Sequence, residues 1–490
     1  MIYFLTGYVA FEEFILKFLP VSDALYSYLR FVGEMLIYVA FGKLVIHKLH
    51  RGIPFVKTAI DLPIIGFYSV VLLSMLINRS PLIGSLYNIR PFARYIVLFY
   101  LVANSSLSER RITTLLRIIL GVGIFQLVAG IIQWAGGPAA FDFFLPREST
   151  LSIGGFTKEY RLLELGREIG SVYGTLGDTV IYGVFMILVL VIYLSRIRRL
   201  EYLNLLGALV LFFFIARSYS RAATFSALLA GGAWYYFHYG WKQTLRLAVA
   251  TVLVFGILLA VVNPFNLEYI NPRKAKVGLV GNVTGVFSGS YVRVAQKQRL
   301  GALIGNVPTV LVNKPILGYG ADQNTTIERL NMSKRSFLLK VLSKEGFKDV
   351  YWVAIFCFYG ILGLGFFALI FYRLFRTALN LYRKNSRQPS AVSHQQDSRQ
   401  PSAVSKRTPL YEETSGLTAD SRKPIAIPAS RVTQQIAIIM LCLVAVTVFL
   451  LFFNRTLEFR GYGFYFWLCA GLMFASDRSL PTYRPLRITL

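Results

Sequence analysis

Apolar runs of membrane-spanning length, separated by short polar turns, dominate this chain. A helix needs about 20 mostly apolar residues to cross the hydrocarbon core of a bilayer. On that criterion the pattern predicts spans near 29–47, 60–78, 92–106, 114–134, 176–195, 201–216, 222–238, 245–263, 351–372, 435–453 and 461–476, eleven in all. Residues 1–19 are long enough for a twelfth but carry Glu12, Glu13 and Lys17. Three ionisable groups in one span are costly, so segment 1–28 reads either as a span or as an amphipathic helix in the interface. The expected fold class is all-α, a polytopic transmembrane helical protein with 11–12 spans and a large helical extracytoplasmic loop.

Two stretches interrupt the apolar pattern. Segment 265–350, between the helices of 29–264 and the span 351–374, is polar and basic, with thirteen Lys/Arg against five Asp/Glu, a net +8. Within it, Leu300–Val312 and Ile327–Val341 have helical composition, which predicts a small helical cap over the membrane. Segment 375–434, ahead of the last two spans and tail (435–490), is rich in Ser, Pro, Gln and Arg. It repeats one octapeptide at Ser386–Ser393 and Ser398–Ser405. Such a composition has too little apolar surface to bury a core and predicts a disordered tether.

Orientation follows from the Lys/Arg bias of short loops. The turns with Lys48, Arg51 and Lys57, with Arg110, Arg111 and Arg117, and with Arg196, Arg198 and Arg199 alternate so as to share one side. That side is assigned to the cytoplasm, and segment 375–434 joins it by parity. The loop 136–175, the turn Arg217–Arg221 and the basic loop 265–350 then lie outside.

Composition supports the membrane reading. The chain is 55% hydrophobic with mean hydropathy +0.55 and only 16% charged, against about 25% charged in soluble domains. The net charge of +28 points to membrane lipids and anionic lipid-linked substrates, not nucleic acid, as partners. Cys357, Cys442 and Cys469 all fall in apolar runs and read as small buried hydrophobes. The N-terminus has no signal-peptide pattern with a small-residue cleavage site. The histidines, His47, His50, His238 and His394, all map to the cytoplasmic side, and no outer His/Cys/Asp/Glu cluster has metal-ligand spacing. Gly318-Tyr319-Gly320 lacks the following glycine and lysine of a phosphate loop. No metal, cofactor or nucleotide is therefore expected.

Four features remain on the outer side. Gly174-Thr175-Leu176-Gly177-Asp178 enters the fifth span, and Ser218-Tyr219-Ser220-Arg221-Ala222-Ala223 turns between the sixth and seventh. Asn313-Lys314-Pro315-Ile316-Leu317-Gly318-Tyr319-Gly320 lies in the basic loop, and Asp349 precedes Tyr359-Gly360-Ile361-Leu362-Gly363-Leu364 by ten residues. This ordered set resembles the O-antigen ligase and O-antigen polymerase family, over roughly residues 20–475. The chain departs from the family pattern at Asp349, where His is frequent, at Val350 for Asn, at Ala222 for Gly, and at Asp178 for Asn.

The resemblance implies an inverting glycosyltransferase at the extracytoplasmic face of a bacterial inner membrane. It would move a glycan from a polyprenyl diphosphate to a glycan or lipid acceptor without metal or nucleotide. Asp349 would be the base for the acceptor hydroxyl, and an N-cap for the ninth span is its plainer reading. Arg221 would clamp the leaving diphosphate, although a membrane-edge arginine also snorkels to headgroups. Arg299, with Arg293 as an alternative, Asp178, Gly318 and Gly320 complete the expected substrate contacts. Arg94 in the third span reads equally as a cavity residue or as a partner of Glu34. A transporter or flippase of lipid-linked oligosaccharide is the alternative. A scaffold working through its cytoplasmic segment is a third.

Overall fold

The computed structural model describes residues 1–145, 171–197, 201–249, 301–333, 350–386, 431–453 and 456–477, and within them the protein is helical with no strand. In chain order the helices are α1 (Ile2–Tyr8), α2 (Glu12–Lys17), α3 (Asp23–Leu29), α4 (Val32–His50), α5 (Asp61–Ile77), α6 (Leu82–Ala103), α7 (Glu109–Phe144) and α8 (Thr179–Leu194). There follow α9 (Tyr202–Arg217), α10 (Arg221–Tyr239), α11 (Gly301–Asn313), α12 (Gln323–Ser333), α13 (Tyr351–Ser386), α14 (Arg431–Leu450) and α15 (Arg460–Ser476). Among the described residues, Glu109–Phe144, Tyr351–Lys384 and Arg431–Leu450 are long and apolar enough to cross a membrane, and Asp61–Ile77, Thr179–Leu194 and Tyr202–Arg217 are shorter apolar helices.

The packing follows from how completely each helix is apolar. Every residue of α8 from Tyr182 to Ile192 is buried, as is every residue from Gly461 to Ser476 in α15. A helix apolar all round belongs in the interior, and these two form the middle of the bundle with α14 and α6. Outer helices bury one face and leave the other apolar and exposed. Leu62, Ile65 and Leu76 of α5 and Leu203, Leu206 and Leu209 of α9 are examples. Apolar surface on that scale fits hydrocarbon rather than water.

The helices run between two distinct ends. At one, Lys48 Nζ donates to the Pro54 carbonyl (3.0 Å) and Asn104 Oδ1 (2.9 Å), and Gln435 Nε2 to Ser195 Oγ (3.1 Å). Arg117 and Arg196 line one cavity there, so this is called the basic end. Lys48 itself is buried in these contacts, which makes it a tie between α4 and α6 more than a solvated loop charge. At the other end, Arg90 and Arg94 pair with Glu34, and the Tyr351 N–H donates to the Leu451 carbonyl at 2.9 Å. This is called the cavity end.

The structure differs from the predicted spans in five places, the first being α6, which begins at Leu82, ten residues before the predicted span 92–106. Residues 1–19 form two short helices with a turn between them, and α1 packs into the bundle, its Thr6 carbonyl accepting from Tyr465 Oη at 2.6 Å. α7 breaks at Gly137 (φ 60°, ψ −147°), where Pro138 has no N–H to continue the ladder. α13 breaks at Gly360 (φ 63°, ψ −162°) and then continues to Ser386. Residues 375–386 are thus the end of a helix and not the start of a tether, while 387–430, with most of the duplicated octapeptides, lie outside the described residues. So do most of the predicted span 245–263 and the basic loop before Gly301.

Candidate functional site

The ionisable residues that made the first segment an awkward span have defined places at the cavity end. Glu13 Oε1 accepts from the Arg30 guanidinium at 2.6 Å, and Tyr26 Oη donates to Glu13 Oε2 at 3.2 Å. Lys17 donates to the carbonyls of Asp142 and Phe143 at the end of α7, where a cation complements the helix terminus. Glu12 is only 3% exposed. Its carboxylate lies against Gly33 of α4, within 3.5 Å of where a Cβ there would stand.

These residues form one wall of a cavity of about 380 Å³ whose charged lining includes Glu12, Glu13, Arg30, Arg90, Arg94 and Glu458. Arg90 and Arg94 come from one face of α6, four residues apart and therefore neighbours on a helix surface. Pro91, also in the wall, removes one rung of α6 between them. Arg90 Nε lies 3.0 and 3.1 Å from the two Glu34 oxygens, and Arg94 Nη1 lies 3.3 Å from Oε2. Arg94 Nη2 donates to the Glu458 carbonyl at 3.1 Å. Arg94 is thus both a cavity residue and a partner of Glu34, the two readings its sequence position left open.

Two donors in this wall have no acceptor among the described residues. Arg94 is 5% exposed, and its Nε, like the Nε of Arg30, is buried without a hydrogen-bond partner among them. A buried donor left unsatisfied costs about 1–3 kcal/mol, and more when charged. Guanidinium forks are also the groups that match phosphate oxygens two at a time. The cavity is charged with both signs, three arginines beside three glutamate side chains in its wall and Glu34 behind it. It is chemically suited to a ligand with a phosphoryl end and a hydroxyl-bearing end.

The segment Gly174–Asp178 reaches the cavity through Thr175 and Leu176. Gln133 Oε1 accepts from the Tyr173 and Gly174 N–H groups (3.0 and 2.9 Å), while Gln126 accepts from the Thr175 N–H at 2.9 Å. Two buried glutamines of α7 thus hold this non-helical backbone inside the bundle. Asp178 is the N-cap of α8, its Oδ1 accepting from Val180 N (2.7 Å) and Ile181 N (3.0 Å).

Two other motifs singled out in the sequence meet directly. The Tyr319 N–H donates to the Cys357 carbonyl (2.9 Å), Gly320 N–H to Phe358 (3.1 Å), and Ile361 N–H to Pro315 (2.8 Å). Both chains approach through left-handed glycines. A Cβ on Gly318 would lie 2.5 Å from the Cys357 oxygen, and one on Gly360 would lie 2.3 Å from the Ile316 carbonyl. Ser74 Oγ of α5 sits 2.6 Å from the Leu317 carbonyl and 2.9 Å from that of Phe358. Arg329 of α12 donates to the carbonyls of Asn78 (2.6 Å) and Tyr319 (3.3 Å). The structure places Gly318 and Gly320 in this backbone clamp, and one of the loop's cations with them.

Arg221 opens α10 behind the Ser220 cap, whose Oγ accepts from the Ala223 N–H at 3.3 Å. It is half-buried and is not among the residues lining the cavity. Asp349, Arg293 and Arg299 lie outside the described residues. Immediately after Asp349 in the chain, Val350 is buried and the Tyr351 N–H donates to the Leu451 carbonyl. α10 packs along α14, and His238 near the end of α10 shares a cavity wall with Gln435 near the start of α14. A rise of about 1.5 Å per residue carries both helices about 25 Å to the cavity end. Arg221 therefore opens α10 at the end of the helix away from the basic end.

This chain matches no protein-family model and no curated protein sequence.

Sequence reasoning did not offer Glu12, Arg30 or Arg90 as site residues. The signal was present, because ionisable side chains inside apolar segments are functional candidates by default. In the sequence Glu12 reads only as a cost on a membrane span.

Proposed function

We propose that this protein is a polytopic membrane glycosyltransferase of a bacterial inner membrane, similar to O-antigen ligases and polymerases. In this reading the cavity end faces the extracytoplasmic side. The observation that carries it is the cavity wall itself, where Arg30 and Arg94 each keep a buried Nε donor without an acceptor among the described residues. A diphosphate supplies acceptors for such donors.

The reaction is a single displacement. The acceptor hydroxyl oxygen attacks the anomeric carbon while its proton passes to the Asp349 carboxylate. The bond from that carbon to the diphosphate oxygen breaks, and the departing negative charge is met by guanidinium groups. Arg30 and Arg94 of the cavity wall meet the diphosphate, and Arg221, with Arg299 or Arg293 of the basic loop, is proposed as a further cation for the leaving group. A positioned base contributes about 10²–10⁴-fold, and a charge clamp acts most strongly where water is excluded.

Purified full-length protein in lipid nanodiscs should cleave a polyprenyl-diphosphate glycan in the presence of a chelator and without nucleotide. Asp349→Ala and Arg221→Ala should each abolish turnover while keeping the wild-type elution profile and unfolding midpoint. If both variants turn over normally, the site assignment is wrong.

The transporter reading draws on the breaks in α7 and α13, since interrupted helices often bind substrate in carriers. Carrier breaks sit near the bilayer midplane, whereas Gly137 lies near the end of α7, and Gly360 is closed against the Ile316–Leu317 backbone and not open to a ligand. Movement of an intact lipid-linked glycan across proteoliposomes, with no product formed, would favour the carrier.

A further inference from the structure

The basic end of the bundle holds a second polar cavity that the proposed reaction does not use. It encloses about 410 Å³, and Arg117 of α7, Arg196 just beyond α8, His238 of α10 and Arg431 of α14 all line it. The guanidinium groups therefore come from three separate elements, with the His238 imidazole from a fourth, and no carboxylate is among the described lining residues. Glu109 and Asp477 belong to the same end but form no part of the wall.

Such a grouping is electrostatically unfavourable by itself. Burial, and then the charge of Arg117, hold the Arg196 guanidinium below its ordinary value. Like charges brought together in a partly desolvated site favour binding of an anion between them. The polar wall is also built. Gln435 Nε2 donates to Ser195 Oγ at 3.1 Å, which ties α14 to the end of α8 beside Arg196. Arg431 and Gln434 stand in the first turn of α14, where main-chain N–H groups lack helical partners. Cationic forks, amide donors and a helix start converge on one volume, the donor set that phosphate oxygens accept from.

We propose that this cavity binds a phosphoryl anion carrying at least two negative charges, presented by a lipid headgroup or by a soluble phosphorylated compound. Bound there, the anion bridges α7, α8, α10 and α14. The cavity end is approached from the opposite side of the bundle, so occupancy of this site does not depend on the glycan reaction. The proposal stands whether or not that reaction is confirmed.

The test uses full-length protein in phosphatidylcholine nanodiscs and reads the thermal unfolding midpoint. One arm titrates inorganic pyrophosphate, and the other replaces part of the lipid with phosphatidic acid. A saturable rise is expected in at least one arm. Pyrophosphate alone identifies a soluble ligand, and phosphatidic acid alone identifies a headgroup. Because the other end also holds arginines, the effect is located with Arg196→Gln/Arg431→Gln, which should raise the half-saturating concentration about tenfold or more. Where that variant does not fold, Arg196→Lys keeps the charge, loses the planar fork and should still weaken binding several-fold. The proposal is overturned if neither anion gives a saturable shift, or if the response is unchanged in the variants.

Discussion

Gly360→Ala tests whether the contact between the two motifs holds the cavity end together. At φ 63° and ψ −162°, Gly360 occupies a region open essentially to glycine alone, and an L-residue there costs about 1–3 kcal/mol. The added Cβ would stand 2.3 Å from both the carbon and the oxygen of the Ile316 carbonyl, and 2.6 Å from Leu317 N. These are backbone atoms, tied by the Ile361 to Pro315 and Tyr319 to Cys357 hydrogen bonds, so relief requires parting the two chains. Overpacking of that kind costs a further 1–3 kcal/mol, roughly. The sum, about 4 kcal/mol, should lower the unfolding midpoint by about 4 °C in a chain of 490 residues. Gly365→Ala in the same helix is the internal control. Nothing lies within 4 Å of its Cβ position, and alanine is the better helix former by up to about 1 kcal/mol. Its midpoint should stay level or rise. The assay is thermal unfolding in detergent micelles, followed by the loss of the monodisperse elution peak. If the two variants unfold together, the clamp is not a structural element and the account of Gly318 and Gly360 fails.

Three further outcomes follow from the same end of the bundle. Glu34→Gln leaves Arg90 and Arg94 without their shared carboxylate, and breaking a buried pair from one side costs about 3–5 kcal/mol. Adding Arg94→Gln should restore part of the lost midpoint, and strictly additive losses would show that the two groups do not interact. Gln133→Leu strips the acceptor from two buried N–H groups, those of Tyr173 and Gly174, and should cost about 2–4 kcal/mol. An unchanged midpoint in that variant would mean that the 171–178 segment is held by something else. Asp178→Ala should cost about 1 kcal/mol as a lost cap and Asp178→Asn little. A fall in turnover by Asp178→Asn with no change in midpoint would instead assign that side chain to substrate.

Legibility in the sequence followed the physics of each signal. Apolar periodicity placed α4, α5, α8, α9, α10, α14 and α15 within a few residues, because hydrocarbon length constrains a helix and little else does. It did not give the ends of α7 and α13. There the interruptions are single glycines, Gly137 and Gly360, whose effect depends on what packs against them, and Pro315–Leu317 is more than forty residues away from Gly360 in the chain. The clamp was present in the sequence only as two separate glycine-bearing motifs, of which the one with Gly318 and Gly320 also reads as a contact for substrate.

The charged cavity shows the opposite failure. Its residues come from α2, the turn before α4, α6 and the approach to α15, so no spacing rule connects them, and each has a sufficient local explanation. Glu13 reads as a cost on a span, and Arg94 as the partner of Glu34. Only their convergence on one volume, with the Nε atoms of Arg30 and Arg94 buried and lacking an acceptor among the described residues, turns such local explanations into a site. The positions proposed for chemistry, Asp349 and Arg221, belong to different elements again, and α14 is what relates them. It fixes Tyr351 through Leu451 and carries α10 along its length. In the proposed reaction α14 is therefore the shared support, holding the start of α13 at one end and packing along the helix that Arg221 opens.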